Sequence, residues 1–326
     1  MSIRRTAAPG PTSGSRPPVS GQTHARPLGL IALGIAVVCF SLGSTMVKKA
    51  GLPGPTLAFW RMLATSTMWW LILWATERRI INWADVRRSL IPGIAFGLNL
   101  ICFFTGVTKT TVANAEFVAS LSPLVVVPAG AFFFKEHINR KALWFGLLSL
   151  GGLMLVLFNG PTTGEASWSG NITVFVAVFL WALYLLSSRR LRNQMSVQGI
   201  MAAVMTIATF TIFPITLVRG ELDDLTVHSL PYIAILTVLT GTIAHGLIVF
   251  AQRTVPVGTI AILQVAQPAL AVWWAFLLLS QGIRPIQVVG MALVMSGLLA
   301  VVLVTRRMAG RAKVTLEPIG PATMCD

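Results

Sequence analysis

Charged side chains lie inside two long apolar segments of this chain, where their energetic cost makes them candidates for chemistry. Arg61 lies near the start of one segment, and Glu116 lies near the start of another. A guanidinium presents a planar fork of donors that suits a carboxylate or a phosphate, whereas a carboxylate can bind a cationic group or a proton. The two residues could instead pair with each other, and Arg61 could extend to a polar interface. Both residues are candidate binding groups for a small molecule.

Seven further residues complete the candidate substrate-binding set, because each places a polar or aromatic group inside an apolar segment. They are Asn99, Ser120, Trp181, Tyr184, His245, Gln264 and Gln267. For the histidine and the asparagine, the alternative is a hydrogen bond between helices. For the two aromatic residues, packing against lipid or against other helices is an equal alternative. The four histidines and three cysteines show no metal-ligand spacing, so neither a metal site nor a cofactor is predicted.

A repeated pattern relates two parts of the chain to each other. A single offset along the sequence places Pro268 on Pro123 and Gly297 on Gly152. Each copy is a long apolar run with one internal proline, a short polar break and a second apolar run. The two prolines are predicted helix breaks, because proline lacks the amide hydrogen that a regular helix uses. The repeat indicates a duplicated half of a helical bundle, an arrangement that is usual in membrane transporters.

The composition indicates a chain that is solvated by lipid. It is 55% hydrophobic and only 11% charged, whereas soluble domains carry about 25% charged residues. The net charge of +15 does not indicate nucleic-acid binding, because the basic residues are scattered in short breaks between apolar spans. We predict an all-α polytopic membrane protein with ten transmembrane helices as two inverted five-helix repeats. The predicted spans are 29–47, 56–76, 91–108, 112–134, 142–158, 170–188, 199–218, 231–250, 258–279 and 285–305.

The same pattern predicts the division of the chain into domains. A disordered cytoplasmic tail precedes the first five-helix repeat, a linker joins it to the second repeat, and a basic cytoplasmic tail follows. The respective ranges are 1–27, 28–158, 159–169, 170–305 and 306–326.

Lysine and arginine concentrate in alternate breaks, on the side of the predicted bundle that holds both termini. By the positive-inside rule, both termini are predicted to be cytoplasmic, in a multi-pass protein of the bacterial inner membrane. An odd number of spans in each half gives the second half the opposite orientation.

Two features are predicted for the cytoplasmic ends of the spans. Glu136 and Arg140 are spaced by one helical turn, which favours a latch between helices over a coupling site. A group of tryptophans is predicted to form an interfacial belt, namely Trp69, Trp70, Trp74, Trp83 and Trp144.

Three segments of the chain together resemble a known family. SLGSTMVKKAGLPGPTLAFWRMLA, which begins at Ser41, combines small residues, a lysine, Pro55 and Arg61 in one order. This order is similar to that of EamA-type members of the drug/metabolite transporter superfamily. The stretch 111–136 and LWALYLLSSRRL around Trp181 resemble the fourth helix and the second-repeat opening of the same family. Ser41, where tryptophan is common, and Gln281, where a glutamate is expected, depart from the pattern.

The resemblance implies a permease that exports or imports small metabolites. We predict a secondary or facilitated transporter that moves a small metabolite by alternating access. An amino acid or a related amphoteric compound is the candidate substrate, and efflux is the predicted direction. A passive channel-like pore is the alternative, although the polar residues are isolated and form no continuous stripe. An enzyme is not predicted, because the ionisable residues do not cluster. The expected partners are a small-molecule substrate and the lipid bilayer, with protons as the candidate coupling ion, no nucleic acid, and a homodimer as one possible assembly.

Overall fold

The computed structural model describes residues 25–110, 112–135, 140–158, 167–220, 222–279 and 284–314, and these residues form helices and short connections without a strand. The predicted tails, most of the predicted linker, and Glu136 and Gln281 lie wholly or largely outside the described residues. Within these residues, fourteen α-helices and one π-helix form the bundle, with two short 3-10 helices at Leu222–Asp224 and Val227–Ser229. They are α1 Ala25–Ser41, α2 Gly43–Ala50, α3 Gly54–Glu77, α4 Trp83–Lys109, α5 Val112–Ala119, α6 Ser122–Phe134, α7 Arg140–Phe158, α8 Trp168–Leu191, α9 Val197–Val218, α10 Leu230–Ile235, the π-helix Leu236–Ala244, α11 His245–Ala251, α12 Val257–Leu263, α13 Ala266–Leu279 and α14 Pro285–Val314.

These helices group into ten spans, as predicted. Span 1 is α1 with α2, span 4 is α5 with α6, span 8 is α10 with the π-helix and α11, and span 9 is α12 with α13. Spans 2, 3, 5, 6, 7 and 10 are single helices, namely α3, α4, α7, α8, α9 and α14. Among the described residues, six of the spans are long and apolar enough to cross a membrane, and shorter apolar helices lie in spans 4, 5 and 10.

The largest difference at the start of a span concerns span 3, which begins at Trp83 rather than near residue 91. Asn82 and Asp85 explain the earlier start. The Asn82 side-chain oxygen accepts a hydrogen bond from the backbone N–H of Asp85. The Asp85 carboxylate accepts one from the backbone N–H of Asn82. This capping box begins a helix in polar sequence, before the apolar run that the hydropathy pattern detects.

Three spans break in the middle of the bundle. Spans 4 and 9 turn at residues 120–121 and 264–265, shortly before Pro123 and Pro268. A proline ring clashes with the carbonyl four residues earlier and provides no amide hydrogen, so the preceding helix ends there. Both predicted helix breaks are therefore present. Span 1 also breaks, at Leu42, where the sequence carries no proline.

The packing of the spans follows a pseudo-two-fold axis that exchanges the two repeats. Spans 2 and 7, 4 and 9, and 5 and 10 are equivalent pairs, and in each pair the two spans pack on each other. The remaining major contacts occur reciprocally. Span 3 packs on span 6 as span 8 packs on span 1, and span 3 packs on span 7 as span 8 packs on span 2. This pattern is the inverted repeat predicted from the sequence.

Small residues allow the closest helix approaches. A Cβ atom added at Gly93 of α4 would lie 2.6 Å from the Cβ of Ile207 on α9. On the opposite side of the bundle, a Cβ at Gly152 of α7 would lie 2.7 Å from the Cβ of Leu293 on α14. Neither position can carry a side chain without moving a neighbouring helix, so glycine sets the spacing of both pairs.

A group of polar contacts joins the two repeats at the predicted cytoplasmic end. Arg79, after α3, donates to the Glu77 carboxylate at 2.7 Å and to the Asp85 carboxylate at 2.5 Å. Ser196, the N-cap of α9, is hydrogen-bonded to Glu77. The hydrogen bond with Glu77 raises the pKa of Arg79. Burial opposes ionisation of Glu77, but its hydrogen bonds with Ser196 and Arg79 outweigh burial and lower its pKa.

The predicted tryptophan belt is only partly correct. Trp74, Trp83 and Trp144 are exposed on the surface of the bundle, as a belt requires. Trp69 is instead buried, and its indole nitrogen donates to the Gly241 carbonyl at 3.2 Å. Trp70 donates to the Thr206 hydroxyl at 2.9 Å. Both indoles therefore contribute to contacts between helices, because their face of α3 points towards spans 7 and 8.

Candidate substrate cavity

Seven of the ten spans enclose a cavity of about 130 Å³, to which spans 1, 2, 3, 4, 6, 8 and 9 contribute. This volume corresponds to about four water molecules at liquid density. Eight of the nine predicted substrate-binding residues line it, namely Arg61, Asn99, Glu116, Ser120, Trp181, His245, Gln264 and Gln267. The breaks at residues 120–121 and 264–265 form part of its wall, so the two broken spans meet at the cavity.

Arg61 is buried in the cavity wall with only 3% of its surface exposed, so it does not extend to the interface. One guanidinium nitrogen donates to the Thr240 hydroxyl at 2.7 Å, and the group lies 5.3 Å from the centre of the Phe104 ring. Its Nε is buried without a hydrogen-bond partner. The positive charge therefore has a neutral hydroxyl and an aromatic face as neighbours, and its hydrogen-bonding capacity is incompletely used.

Glu116 is equally buried, and one of its carboxylate oxygens accepts a hydrogen bond from Ser44 of α2. The other oxygen, Oε2, is buried without a partner. No ion pair joins Glu116 to Arg61 in the described part of the chain, where both ion pairs involve Arg79. The pairing that the sequence left open is therefore absent, and the two charges lie separately in one cavity.

An aromatic wall adjoins these charged residues, and His245 lies at its centre. The imidazole contacts the rings of Phe40 and Phe96 edge-on, with centroids 4.7 and 4.6 Å away. The Trp181 and Tyr184 rings follow at 5.7 and 5.9 Å. The Nδ1 atom of His245 is buried without a hydrogen-bond partner, so this nitrogen makes no hydrogen bond between helices.

The other predicted residues differ in their surroundings. The Asn99 amide donates to the Ala177 carbonyl at 2.7 Å, which is a contact between spans 3 and 6. Gln264 has a buried side-chain oxygen without a partner. Tyr184 lies behind the cavity lining, fully buried, and its ring contacts the rings of Phe96 and Trp181 in a tilted arrangement.

Both predicted helix-break residues line a cavity or pocket, whereas the predicted latch is only partly described. Pro268 lines the main cavity, whereas Pro123 lines a smaller apolar pocket beside it. Arg140 begins α7 with an exposed side chain, and its predicted partner Glu136 lies outside the described residues.

Sequence reasoning missed Thr240 and the partnership of Ser44 with Glu116. Ser44 lies in a run of small polar residues, SLGST, that marks it as a candidate, but its contact with Glu116 depends on the rotation of two distant helices. Thr240 lies in a threonine- and glycine-containing stretch that has no charged residue. Ser41, at the position where tryptophan is common, accepts a hydrogen bond from Trp274 of span 9 at 2.8 Å.

Ten spans in two repeats, with a cavity between the repeats that contains buried charged residues, define a multi-pass membrane protein with the architecture of a transporter. The profile of the EamA-like transporter family matches residues 27–158 and 168–303. The chain belongs to the EamA-like transporter family.

Individual relatives show how far this likeness extends. The chain is 30% identical over 131 residues to the pseudopaline exporter CntI of Pseudomonas aeruginosa, which covers 39% of this chain and 46% of the exporter, less than half its length. It is 24% identical to the uncharacterized transporter YetK of Bacillus subtilis, over 84% of this chain and 86% of YetK. It is 22% identical to a probable amino-acid metabolite efflux pump of Escherichia coli, over 56% of this chain and 65% of the pump. A crystal structure matches 88% of the chain and 99% of its own chain with a TM-score of 0.70 at 17% identity, which shows the fold.

Proposed function

We propose that this transporter is a secondary or facilitated carrier of a small amphoteric metabolite, such as an amino acid or a related compound. The observation that carries the proposal is the separate burial of Arg61 and Glu116 in one cavity, each with an unpartnered polar atom. A buried charge is costly unless a partner compensates it. A ligand with a carboxylate and an ammonium group provides one partner for each residue, and the aromatic wall accommodates its apolar part.

Export from the cytoplasm across the inner membrane is the proposed direction. The names of two relatives support it, since one is an exporter and another a probable amino-acid metabolite efflux pump. The two-fold packing supports alternating access, in which the two halves rock about a central cavity.

The first experiment measures uptake of labelled amino acids into proteoliposomes, with and without a pH gradient. Saturable uptake that is lost in Arg61→Gln and has a raised KM in Glu116→Gln supports an amphoteric substrate. Arg87→Gln is the matched control, because Arg87 is exposed outside the cavity. Uptake that grows with the gradient identifies protons as the coupling ion, and uptake that is indifferent to it identifies a facilitator. Uptake that never saturates contradicts a carrier and supports a pore.

A second experiment tests the membrane orientation. Single cysteines replace Thr226, on the predicted outer side, and Arg253, on the predicted cytoplasmic side, after Cys39, Cys102 and Cys325 are changed to alanine. A membrane-impermeant maleimide is expected to label the first variant in intact spheroplasts and the second only after permeabilisation. The reverse pattern contradicts the proposed cytoplasmic termini.

A further inference from the structure

The π-helix of span 8 forms part of the cavity wall. It extends over Leu236–Ala244, and Leu236 and Thr240 face the cavity. π-helical turns are rare in proteins and occur frequently at functional sites, since the wider turn has weaker internal support. The equivalent span of the first repeat, α4, is a continuous α-helix. This irregular segment is therefore particular to the second repeat.

One face of α3 holds the π-helix in place. Arg61, Thr65 and Trp69 follow one another at intervals of four residues, so their side chains share one face of the helix. Arg61 donates to Thr240, and Trp69 donates to the carbonyl of Gly241. Between these two contacts, a Cβ added at Gly241 would lie 2.5 Å from the Thr65 hydroxyl oxygen. Of these three contacts, only the first involves a group that lines the cavity.

The hydrogen-bond directions at Thr240 are defined by its neighbours. Its hydroxyl proton is donated to the Leu236 carbonyl at 2.7 Å, so a lone pair of the same oxygen accepts from Arg61. The hydroxyl therefore offers Arg61 one neutral acceptor. A carboxylate offers two charged acceptors in a geometry that matches the guanidinium, and such hydrogen bonds are about twice as strong as neutral ones.

We propose that Thr240 is a positioning residue that holds Arg61 in the empty carrier, and that the anionic group of the substrate replaces Thr240 on the guanidinium. This replacement breaks the hydrogen bond between Arg61 of span 2 and Thr240 of the π-helix. Substrate binding therefore changes the contacts that hold span 8. This inference rests on the proposed function, and it names the residue and the segment through which an anionic group acts.

The test compares Thr240→Val, which keeps the shape and removes the acceptor, with Thr240→Ser, which restores the hydroxyl. Thr237→Val is the matched control, because Thr237 lies in the same π-helix and its buried hydroxyl makes no hydrogen bond. The probe is labelled L-phenylalanine, whose charges and ring suit the cavity. Its Kd is measured on purified full-length protein, with phenylalaninamide, which lacks the carboxylate, as competitor.

Thr240→Val is expected to bind L-phenylalanine about three- to tenfold more tightly than the wild type, since the carboxylate no longer competes with the hydroxyl for Arg61. Thr240→Ser and Thr237→Val are expected to keep the wild-type Kd, and the affinity for phenylalaninamide is expected to stay constant. In proteoliposomes, preloaded unlabelled phenylalanine accelerates wild-type uptake, and this acceleration is lost in Thr240→Val because the empty carrier is no longer held.

Weaker or unchanged binding by Thr240→Val, with normal binding by the wild type, overturns the role of Thr240 and leaves the proposed function intact. A parallel loss of affinity and thermal stability shows a purely structural role and overturns it as well. A wild-type protein that neither binds nor transports the amphoteric probe contradicts the proposed function, and with it this inference.

Discussion

Arg61 and Glu116 each have one hydroxyl partner in place of an oppositely charged one. Removing an ion from water costs several kcal/mol in a protein interior, and a single neutral hydrogen bond recovers only part of this cost. Both residues therefore contribute unfavourably to the stability of the fold. Their separation within one cavity allows a ligand to compensate both, which connects their burial to the proposed amphoteric substrate.

Replacing Arg61 with methionine is expected to abolish uptake while it stabilises the protein. A buried charge without a counter-ion is replaced by an apolar side chain of similar length, and such changes commonly stabilise by about 1–4 kcal/mol. Thermal unfolding of the purified protein and uptake by proteoliposomes measure the two effects. Arg61→Lys keeps the charge and serves as control. A methionine variant that unfolds at a lower temperature than the wild type contradicts the assignment of Arg61 as uncompensated.

Glu116→Gln is expected to reduce the affinity for an amphoteric substrate about 10- to 100-fold, which corresponds to the loss of one charge-assisted hydrogen bond. The fold is expected to be retained, because the glutamine carbonyl can still accept from Ser44. A titration of uptake against substrate concentration measures the effect, and the amide-for-carboxylate change has little influence on shape. Unchanged KM would assign Glu116 to structure alone.

The residue types of the cavity were predictable from the sequence, but their partners were not. Polar groups within apolar spans are expensive, so Arg61, Glu116 and His245 could be identified without coordinates. The contacts of Ser44 and Thr240 depend on how far each helix is rotated about its axis. The hydropathy pattern does not define this rotation closely enough to predict which side chains become neighbours.

At the scale of helices, the bundle combines regular segments that pack closely with irregular ones that line the cavity. Pro123 and Pro268 made two of the irregular segments predictable. The turn at Leu42 and the π-helix carry no such signal, because no proline lies at either site and the π-helix depends on contacts with α3. The close packing relies on glycine at particular contacts, as between α4 and α9.

Substituting alanine for glycine is expected to have opposite effects at two helical positions. At Gly93 the new methyl group meets the Cβ of Ile207, so overpacking is expected to destabilise by about 1–3 kcal/mol. At Gly34 no atom lies within 4 Å, so the higher helix propensity of alanine is expected to stabilise by about 0.5–1 kcal/mol. Thermal unfolding of both variants in the same detergent checks the signs. Equal shifts for the two variants would contradict the close contact of α4 with α9.

At the scale of the molecule, the two repeats are held together at the predicted cytoplasmic end by Glu77, Arg79 and Asp85 with Ser196. The lowered pKa of Glu77 means that its ionised form is favoured by folding. Its contribution to stability is complete at pH values above 4.5, the ordinary pKa of the carboxyl group, and is lost as the pH falls through the lowered pKa. The side chains are partly exposed, so solvent screening keeps this contribution small.

Arg79→Gln is expected to lower the melting temperature at pH 7 by about 1–3 °C and to reduce its further fall in acid. The physical reason is that Glu77 loses the cation that favours its ionised form, and Asp85 loses its ion-pair partner. Arg78→Gln is the control, because Arg78 is exposed and lies over the Trp74 ring. Melting curves of both variants between pH 7 and pH 3 measure the difference. A profile for Arg79→Gln that parallels the wild type over this range would contradict the role of the cluster.

The two helix breaks are equivalent in backbone and different in chemistry, since Glu116 corresponds to Ala261 and Ser120 to Val265 under the offset that relates the repeats. A bundle with a two-fold axis opens towards either side at similar energetic cost, whereas both charged residues of the proposed site, Arg61 and Glu116, lie in the first repeat. Under the proposed function, a substrate that enters from the cytoplasm and one that enters from outside therefore approach these two residues from different directions. We expect such a carrier to act as a kinetic rectifier, with unequal half-saturation concentrations on its two sides, although the gradient alone decides the final distribution.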